Sequence, residues 1–580
     1  MDLLFTRSQC SLCCISLVVV AVSCVLMLVR RRQRRTNRPS EATVSILTKI
    51  DDIEPACRRI AHALNDAAVV KDEKECAEQM REIVAGRSLE YSSLDTNPEY
   101  LLGCTRHISV SDHGALGTRF TVQYNLFAGS IVALGTDEQR QRLYDTQDNG
   151  ELGCFAFTEI GAGVLSGAGV ETTAHYDADR QVFIINSPTP TSRKTWISQG
   201  CFAEHAVILA NLYMPSENEK DANKGPHLFF ARIQNRNSQT GNLSPVSSAV
   251  EVTSLPQKTA LWGLDNAYIN FNKFEVRRED LLSRFSQVGA DGNYSLNLPP
   301  GNKRMLDLLI SRLLTGRVCL SEYTVAFSRA LVRESWAYAS RRELWVSPRH
   351  RATTKPSTMT EKPLIAATFI NYSESLAIVA SYIALTRERV AECIRASSFP
   401  PDVIEAVCVC KFVGTSFGVD AVSVMRKTMG SQALLEASRL GPSSFVCNAT
   451  CAAEGDNTIM ELKVVGDLVR GGIKALFPVN LISRTLMRAL QLHLWDARAC
   501  GSRVALIRYL YLVIRTFALG KAALEEGQLL RDLAWSRAHL LVIDSWYTGG
   551  LRRYGSQKGA ESFMDSYMKV LMRYPTPPQF

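Results

Sequence analysis

The sequence predicts a multidomain α+β protein with an N-terminal transmembrane helix. Three observations predict it. A charge-free run at 10–29 ends in a cluster of arginines, short strand-like segments are confined to 151–288, and helical hydrophobic periodicity lies on both sides of them. At 580 residues the chain exceeds one compact core, and 46% apolar with 21% charged residues is ordinary globular composition.

The run Cys10 to Val29 is long enough, at about 1.5 Å per helical residue, to cross a bilayer core of about 30 Å. Arg30, Arg31, Arg32, Arg34, Arg35 and Arg38 follow it at once. Positive residues stay cytoplasmic, so this order predicts an anchor with the body on the cytosolic side. A cleaved secretory signal carries its charge before the apolar run. The alternatives are an organellar presequence or a misplaced start. The same six arginines hold most of the net charge of +9, leaving the body weakly basic and without the basic stripe of a nucleic-acid binder.

Residues 41–150 follow a helical pattern, as around Ile53 to Val70 and over Asp137 to Tyr144, and predict an N-terminal helical domain. In 151–288, VETTAHYD, QVFIINSP, HAVILANLY and HLFFARI are short, β-rich and bounded by Gly, Pro, Asn and Asp, which predicts a central antiparallel β domain. After Asp291-Gly292-Asn293 the helical period returns to about residue 570, and is divided into 289–470 and 471–580. Ser340 to Pro363 reads as a helix end and a loop. Val504 to Leu519 is apolar but interrupted by Arg508 and Arg515, seven apart on one face, so it reads as a packed amphipathic helix and not a second span.

The sixteen cysteines are scattered and predict free thiols in a reduced body. Cys408-x-Cys410 and Cys447-x3-Cys451 have no histidine at metal spacing, so no metal is expected. The glycine loop 161–169 is followed by a strand, which deprives it of the helix N-terminus a Rossmann pyrophosphate site requires.

Read more widely, CFAFTEIGAG (154–163), VETTAHYD (170–177) and FIINSPTPTSRKTWISQG (183–200) resemble the acyl-CoA oxidases of the acyl-CoA dehydrogenase superfamily. LFAGSIVALGTDEQRQRLY (126–144) is similar to the family's helical segment before the β domain. WGLDNAYINFNKFEVRREDLL (262–282) resembles the β-domain exit, and VMRKTMGSQALLE (424–436) and AAEGDNTIMEL (452–462) resemble the flavin and base segments. The order and spacing hold from about 110 to 465, and the Glu-Thr-Thr-Ala and Asn-Ser-Pro-Thr wording favours the oxidase branch.

The resemblance implies FAD as cofactor, acyl-CoA as substrate, trans-2-enoyl-CoA as product, molecular oxygen as acceptor giving hydrogen peroxide, and a homodimer. It implies a peroxisome or related organelle, although the chain's last residues are not a Ser-Lys-Leu type address. Glu454 matches the catalytic base. Alone, a Glu-Gly pair at a helix start reads as a cap; within the resemblance it reads as the base, which needs an apolar setting such as Ala452, Ala453, Ile459 and Met460 to raise its pKa. For the flavin, the resemblance implies Thr158 with Phe157 beside it, the turn glycines Gly161 and Gly163, Trp196 and Ser198 as packing residues, and Gly200 as a turn. Trp196 otherwise reads as a core aromatic. Arg341 matches the arginine that reaches a neighbouring subunit's cofactor, and otherwise reads as a solvated helix-end arginine. Gly430 matches the first glycine of a Gly-Gly-x-Gly turn, whose other glycines are here Ser431 and Ala433. If those two sites need positive φ, each costs of order 1 kcal/mol or more and FAD affinity suffers. The rival readings are a dehydrogenase with another acceptor, a flavin-free membrane-tethered acyl-CoA-binding protein, and a scaffold with no ligand.

Overall fold

A computed structural model of the chain describes residues 41–48, 57–59, 70–108, 114–163, 169–216, 222–302, 304–344, 356–471, 475–476, 481–482, 500–519, 526–546 and a few positions between 563 and 570. The expected membrane span at 10–29 lies outside them, as does most of 53–70. The chain divides into two compact units, one of residues 1–51, 327–385 and 408–580, the other of residues 52–326 and 386–407.

The named helices are α1 (Glu41–Thr48), α2 (Glu73–Ala85), α3 (Pro98–Ile108), α4 (Gly114–Phe120), α5 (Gly129–Leu134), α6 (Asp137–Asp148), α7 (Met305–Leu309), α8 (Ser311–Ala339), α9 (Pro363–Ala396), α10 (Pro401–Met429), α11 (Leu440–Ala452), α12 (Asn457–Arg470), α13 (Cys500–Leu519) and α14 (Gly527–Ser545). A π-helix, Thr121–Ala128, joins α4 to α5. The strands are β1 (Gly153–Ala156), β2 (Thr173–Asp177), β3 (Val182–Asn186), β4 (Lys194–Ser198), β5 (His205–Tyr213), β6 (Asn223–Arg232), β7 (Gln234–Arg236), β8 (Leu243–Pro245), β9 (Val250–Ser254), β10 (Asn266–Phe271), β11 (Phe274–Arg277), β12 (Ser286–Val288), β13 (Tyr294–Leu296), β14 (Glu343–Leu344) and β15 (Ser357–Thr358).

The unit built on 52–326 holds one hydrophobic core that runs from Cys57 to Leu309 through both helices and strands. Its main sheet is mixed, which corrects the expected antiparallel domain. β5 is central and pairs antiparallel with β6 along one edge. On its other edge β1 pairs parallel with His205 to Ile208, and β2 pairs parallel with Asn211 to Tyr213. Alternation along a short strand reports which residues are inside and not which way its neighbour runs. The excursion through β2, β3 and β4 supplies the long connection that parallel pairing needs. β4, β10 and β9 make a second, antiparallel sheet. Asp291-Gly292-Asn293 proves to be the tip of the β12–β13 hairpin, with Gly292 at φ +83°.

Helices and sheet meet through a close approach and a set of buried polar ties. Phe127 of the π-helix presses on β1 at Gly153, where an added Cβ would stand 2.3 Å from the ring. Gln123 accepts from Gly153 N at 2.9 Å and from Gln199 Nε2 at 2.7 Å, and donates to Tyr91 OH at 2.6 Å. Arg119 of α4 and Asp265 pair at 2.8 Å with both side chains fully buried. Arg119 also donates to Gly263 O at 3.1 Å and Glu73 O at 2.9 Å, while Asp265 accepts from Cys201 N at 2.7 Å. Arg81 of α2 holds Glu204 at 2.7 Å. α6 starts in the capping box Thr136/Gln139, and Gln139 Nε2 reaches on to Leu281 O at 2.6 Å.

In the other unit Trp336 of α8 meets Phe369 of α9 edge-on at 5.5 Å, and Ser328 Oγ donates to Gly418 O of α10 at 3.2 Å. α9 and α10 are apolar and long enough to cross a membrane by length and composition, but 67% and 72% of their apolar windows are buried, as in core helices. α13 packs on α14 as the amphipathic reading predicts: Arg508 pairs with Asp532 at 3.5 Å and Arg515 with Glu526 at 2.8 Å.

Two outcomes follow from these ties. Arg119→Met strands the buried Asp265 charge and lowers unfolding stability by about 3–5 kcal/mol, whereas Arg119→Met with Asp265→Leu recovers most of the loss; urea midpoints of the two variants check this. Glu151 is the pH-sensitive member. Burial pushes its carboxyl up, but hydrogen bonds from His205 at 2.8 Å and Arg232 at 2.6 Å outweigh burial and bring it down to about 2 from its ordinary 4.5. Burial also lowers the His205 pKa, and the charges of His205 and Arg232 add to their hydrogen bonds in holding the Glu151 carboxyl down. A depressed carboxyl stabilises the fold above its unfolded pKa, and that stability is lost as pH falls from about 4.5 to about 2. Glu151→Gln should flatten the decline in urea midpoint across that interval.

Candidate active site

The candidate residues fall into two groups, one in each unit. In the first, the chain leaves β1 through Phe157, which is buried and stacks on Phe155 at 5.0 Å. It then runs beside β4. Thr195 N donates to Thr158 O at 2.9 Å, Ile160 N to Arg193 O at 3.1 Å, and Gly161 N to Thr191 O at 2.8 Å. Phe157, Thr158, Gly161, Trp196 and Ser198 are thereby held along two neighbouring segments. Gly163 lies two residues past Gly161, and Gly200 follows β4.

A buried ion pair fixes this arrangement. Lys194 Nζ lies 2.8 Å from Glu159 Oε1, with side chains 0% and 2% exposed. Lys194 also donates to Leu209 O at 2.7 Å. Glu159 accepts from Glu171 N at 2.7 Å, Thr172 N at 3.1 Å and Thr172 Oγ1 at 2.6 Å. Burial pushes the Glu159 carboxyl up, but Lys194 and these donors hold it below its ordinary value. The sequence reading missed this pair. Its available signal was a glutamate inside an uncharged stretch and a lysine beside Arg193, and nothing local said that they meet.

Trp196 stands on a β-bulge. Lys194 pairs with Ile269 and Ile197 with Ala267, so Thr195 and Trp196 together oppose Tyr268. The bulge puts Trp196 at φ +56° and leaves it 61% exposed. A core aromatic is therefore excluded; the indole is held outward on a strained backbone. Ser198 Oγ accepts from Asn266 Nδ2 at 3.0 Å. Two glycines fit here by close approach: a Cβ on Gly161 would meet Glu171 Oε1 at 2.5 Å, and one on Gly200 would meet Ala267 Cβ at 2.7 Å. Gly163 has φ +49°, with open space where a Cβ would stand.

The second group centres on Glu454, in the turn 453–456 between α11 and α12. Glu454 has φ +56° and Gly455 φ +97°. The cap of α12 is Asp456, whose carboxylate accepts from Thr458 N at 2.8 Å. Helix capping thus does not account for Glu454. Of the apolar neighbours expected around it, Met460 is buried, Ile459 half-buried, and Ala452 and Ala453 exposed. α12 is braced from its other side, where Glu461 accepts from Arg531 Nε at 2.8 Å and Trp535 Nε1 at 2.9 Å.

Gly430 ends α10 at φ +61°, but Ser431 and Ala433 are not among the residues with positive φ. The expected strain at those two positions is absent, because the 3₁₀ turn 430–434 needs left-handed backbone only at its first residue. Arg341 is exposed and donates to Ala337 O at 3.1 Å, capping its own helix. Among the described residues no group of three or more His, Cys, Asp or Glu could hold a metal.

No family model matches the chain. It is 28% identical over 363 residues to the peroxisomal acyl-coenzyme A oxidase 2 of Arabidopsis thaliana, a match taking in 61% of this chain and 51% of that protein. It is 30% identical over 247 residues to acyl-coenzyme A oxidase 2 of Yarrowia lipolytica, 42% of this chain and 33% of that one. The chain thus spans about half the length of the curated relatives it matches, or less. Among solved structures, acyl-CoA oxidase 1 of Yarrowia lipolytica superposes with a TM-score of 0.65 at 18% identity, covering 93% of this chain and 84% of that one. Arabidopsis thaliana acyl-CoA oxidase 1 gives 0.65 at 20% identity, covering 90% and 81%. A glutaryl-CoA dehydrogenase from Mycobacterium smegmatis gives 0.52 at 16% identity, covering 74% and 92%. The chain is thus similar in sequence to acyl-CoA oxidases over part of their length, and it has the fold of the solved acyl-CoA oxidases.

Proposed function

We propose that the protein is an FAD-dependent acyl-CoA oxidase that converts an acyl-CoA to the trans-2-enoyl-CoA and reduces molecular oxygen to hydrogen peroxide. The observation that carries the reading is the turn at Glu454. A carboxylate occupies a left-handed position that glycine would fill more easily, while Asp456 does the capping. Strain of this kind persists where the surroundings impose it, and it gathers at active sites.

The first group of residues fits a flavin. The outward indole of Trp196 offers a flat apolar face, Gly161 and Gly200 let neighbouring chain pack closely, and Gly163 leaves open space beside its backbone. Phe157, Thr158, Trp196, Ser198 and those three glycines would hold the ring; Gly430, in the other unit, is a separate cofactor-binding candidate by the resemblance alone. When bound, FAD would supply the acceptor for the hydride from the carbon β to the thioester carbonyl and a route for two electrons to oxygen. Glu454 takes the proton from the α carbon, and the C–H electron pair left behind becomes the new double bond. The Glu159–Lys194 pair orients this face by fixing Thr158 beside Thr195.

A homodimer, with Arg341 serving the neighbouring subunit, belongs to the same proposal. The exposed Leu434, Leu435 and Phe445, at 74%, 54% and 49%, support it as candidate contact residues. A peroxisomal location is proposed from the names of the relatives. Membrane attachment through 10–29 is proposed from the apolar run and its arginines. The flavin-free reading loses one of its two motives, since Ser431 and Ala433 carry no left-handed strain, and keeps the other, the N-terminal anchor.

The purified protein should show a flavin absorbance band between about 300 and 600 nm that bleaches with palmitoyl-CoA in air, with peroxide formed. Glu454→Gln should cut that turnover by about 10²- to 10⁴-fold. Bleaching without peroxide would instead assign a dehydrogenase with another acceptor, and no flavin after reconstitution would reject both. Glu454→Gly separates strain from chemistry. It should abolish turnover while unfolding stability stays level or rises by up to about 1 kcal/mol; a clear drop in urea midpoint would remove the strain argument.

A further inference from the structure

Lys411 lies on α10 among Cys408, Val409, Cys410, Phe412 and Val413, and like them is fully buried. An ammonium there costs several kcal/mol unless its protons find acceptors. Nζ donates to Cys451 O at 2.8 Å and to Asn457 Oδ1 at 2.9 Å. Cys451 O belongs to the last turn of α11, where carbonyls lack helical partners and the helix dipole is negative. Asn457 is the first residue of α12. Its amide is itself fixed, donating to Thr415 Oγ1 at 2.9 Å and Ser416 Oγ at 3.2 Å. One buried cation therefore ties together the two helix ends that bracket the turn 453–456.

We propose that Lys411 is the positioning residue for Glu454. The proposal rests on the reading of Glu454 as the base. With positions 451 and 457 clamped to α10, the short link between them is confined to the left-handed pair Glu454 and Gly455, and the carboxylate has one place to stand. Removing the clamp lets the turn relax toward right-handed backbone and moves the carboxylate. A displacement of about 1 Å costs on the order of 10²-fold in rate. A lysine that merely capped α11 would contribute stability and leave the turnover of folded enzyme unchanged.

The test uses the full-length protein with Lys411→Met, and Asn457→Leu as a second variant should the first fail to fold. Flavin content and the KM for palmitoyl-CoA should stay within roughly threefold of wild type, while kcat falls about 10²-fold for Lys411→Met and less for Asn457→Leu. Amide hydrogen exchange of the peptide spanning 451–458, measured without substrate, should speed up about tenfold or more in both. In the Glu454→Gln background Lys411→Met should cost no further turnover, because the group it positions is gone. Wild-type kcat in the folded variant, unchanged exchange, or a full further loss in the Glu454→Gln background would each overturn the proposal. Glu454→Gln turning over at the wild-type rate would overturn the base reading itself, and is distinguished by that single variant.

Discussion

The ion pair between Glu159 and Lys194 is the constraint on which the first candidate site depends. Each charge is withdrawn from water almost completely, and neither would remain there unpaired. The pair persists because both partners are saturated, Glu159 by two amides, a hydroxyl and the ammonium, and Lys194 by the carboxylate and a strand carbonyl. It sets the spacing between the exit of β1 and the start of β4. Thr158, the bulge at Trp196 and the approach of Gly161 to Thr191 follow from that spacing. The same device recurs behind the sheet, where Arg119–Asp265 and Arg81–Glu204 join helices to strand ends. Such contacts add little net stability over an apolar core, but they admit very few registers.

Helix and strand content were legible in the sequence because their periods differ, and Asp137 to Tyr144 is a helix as its pattern required. The candidate residues were legible as words, CFAFTEIGAG and KTWIS above all. Strand direction was not, since β2 has the same alternation whether its neighbour runs parallel or antiparallel, and β1, buried at every residue, has none. The outward Trp196 was not either, because a bulge is a mismatch between two strands and only one is read at a time. Ser431 and Ala433 misled in the opposite sense: a lost glycine implies strain only where the backbone is left-handed, and there it is not. Lys411 gave no sign at all, being one cation in a helix whose fully buried face only the fold defines.

Both groups share a physical theme. Trp196 and Glu454 hold backbone conformations that non-glycine residues avoid, and each is pinned by a buried lysine bonded to chain on two sides. Strain that costs of order 1–3 kcal/mol per residue survives only when neighbours over-determine it. The burial of Lys194 and Lys411 supplies that over-determination, so rigidity at these two places is bound to a fixed charge that solvent does not screen.

The shared edge of β5 carries a different consequence. β1 occupies that edge beside His205 to Ile208 and β2 takes it over beside Asn211 to Tyr213. The segment leading from one to the other pairs instead with the chain before β4, through Ile160 N on Arg193 O and Gly161 N on Thr191 O, and rejoins the edge of β5 at Thr172, whose carbonyl accepts from Asn211 N at 2.8 Å. Its length is then almost independent of the sheet: residues can be added or removed between Gly163 and Val170 without shifting any strand by one position and turning its side chains over. The scaffold separates what must stay constant from what is free to drift, and places the free segment directly after the proposed flavin-holding residues. Variation in this loop is a route by which related chains can come to differ in the molecules they accept while keeping an identical core.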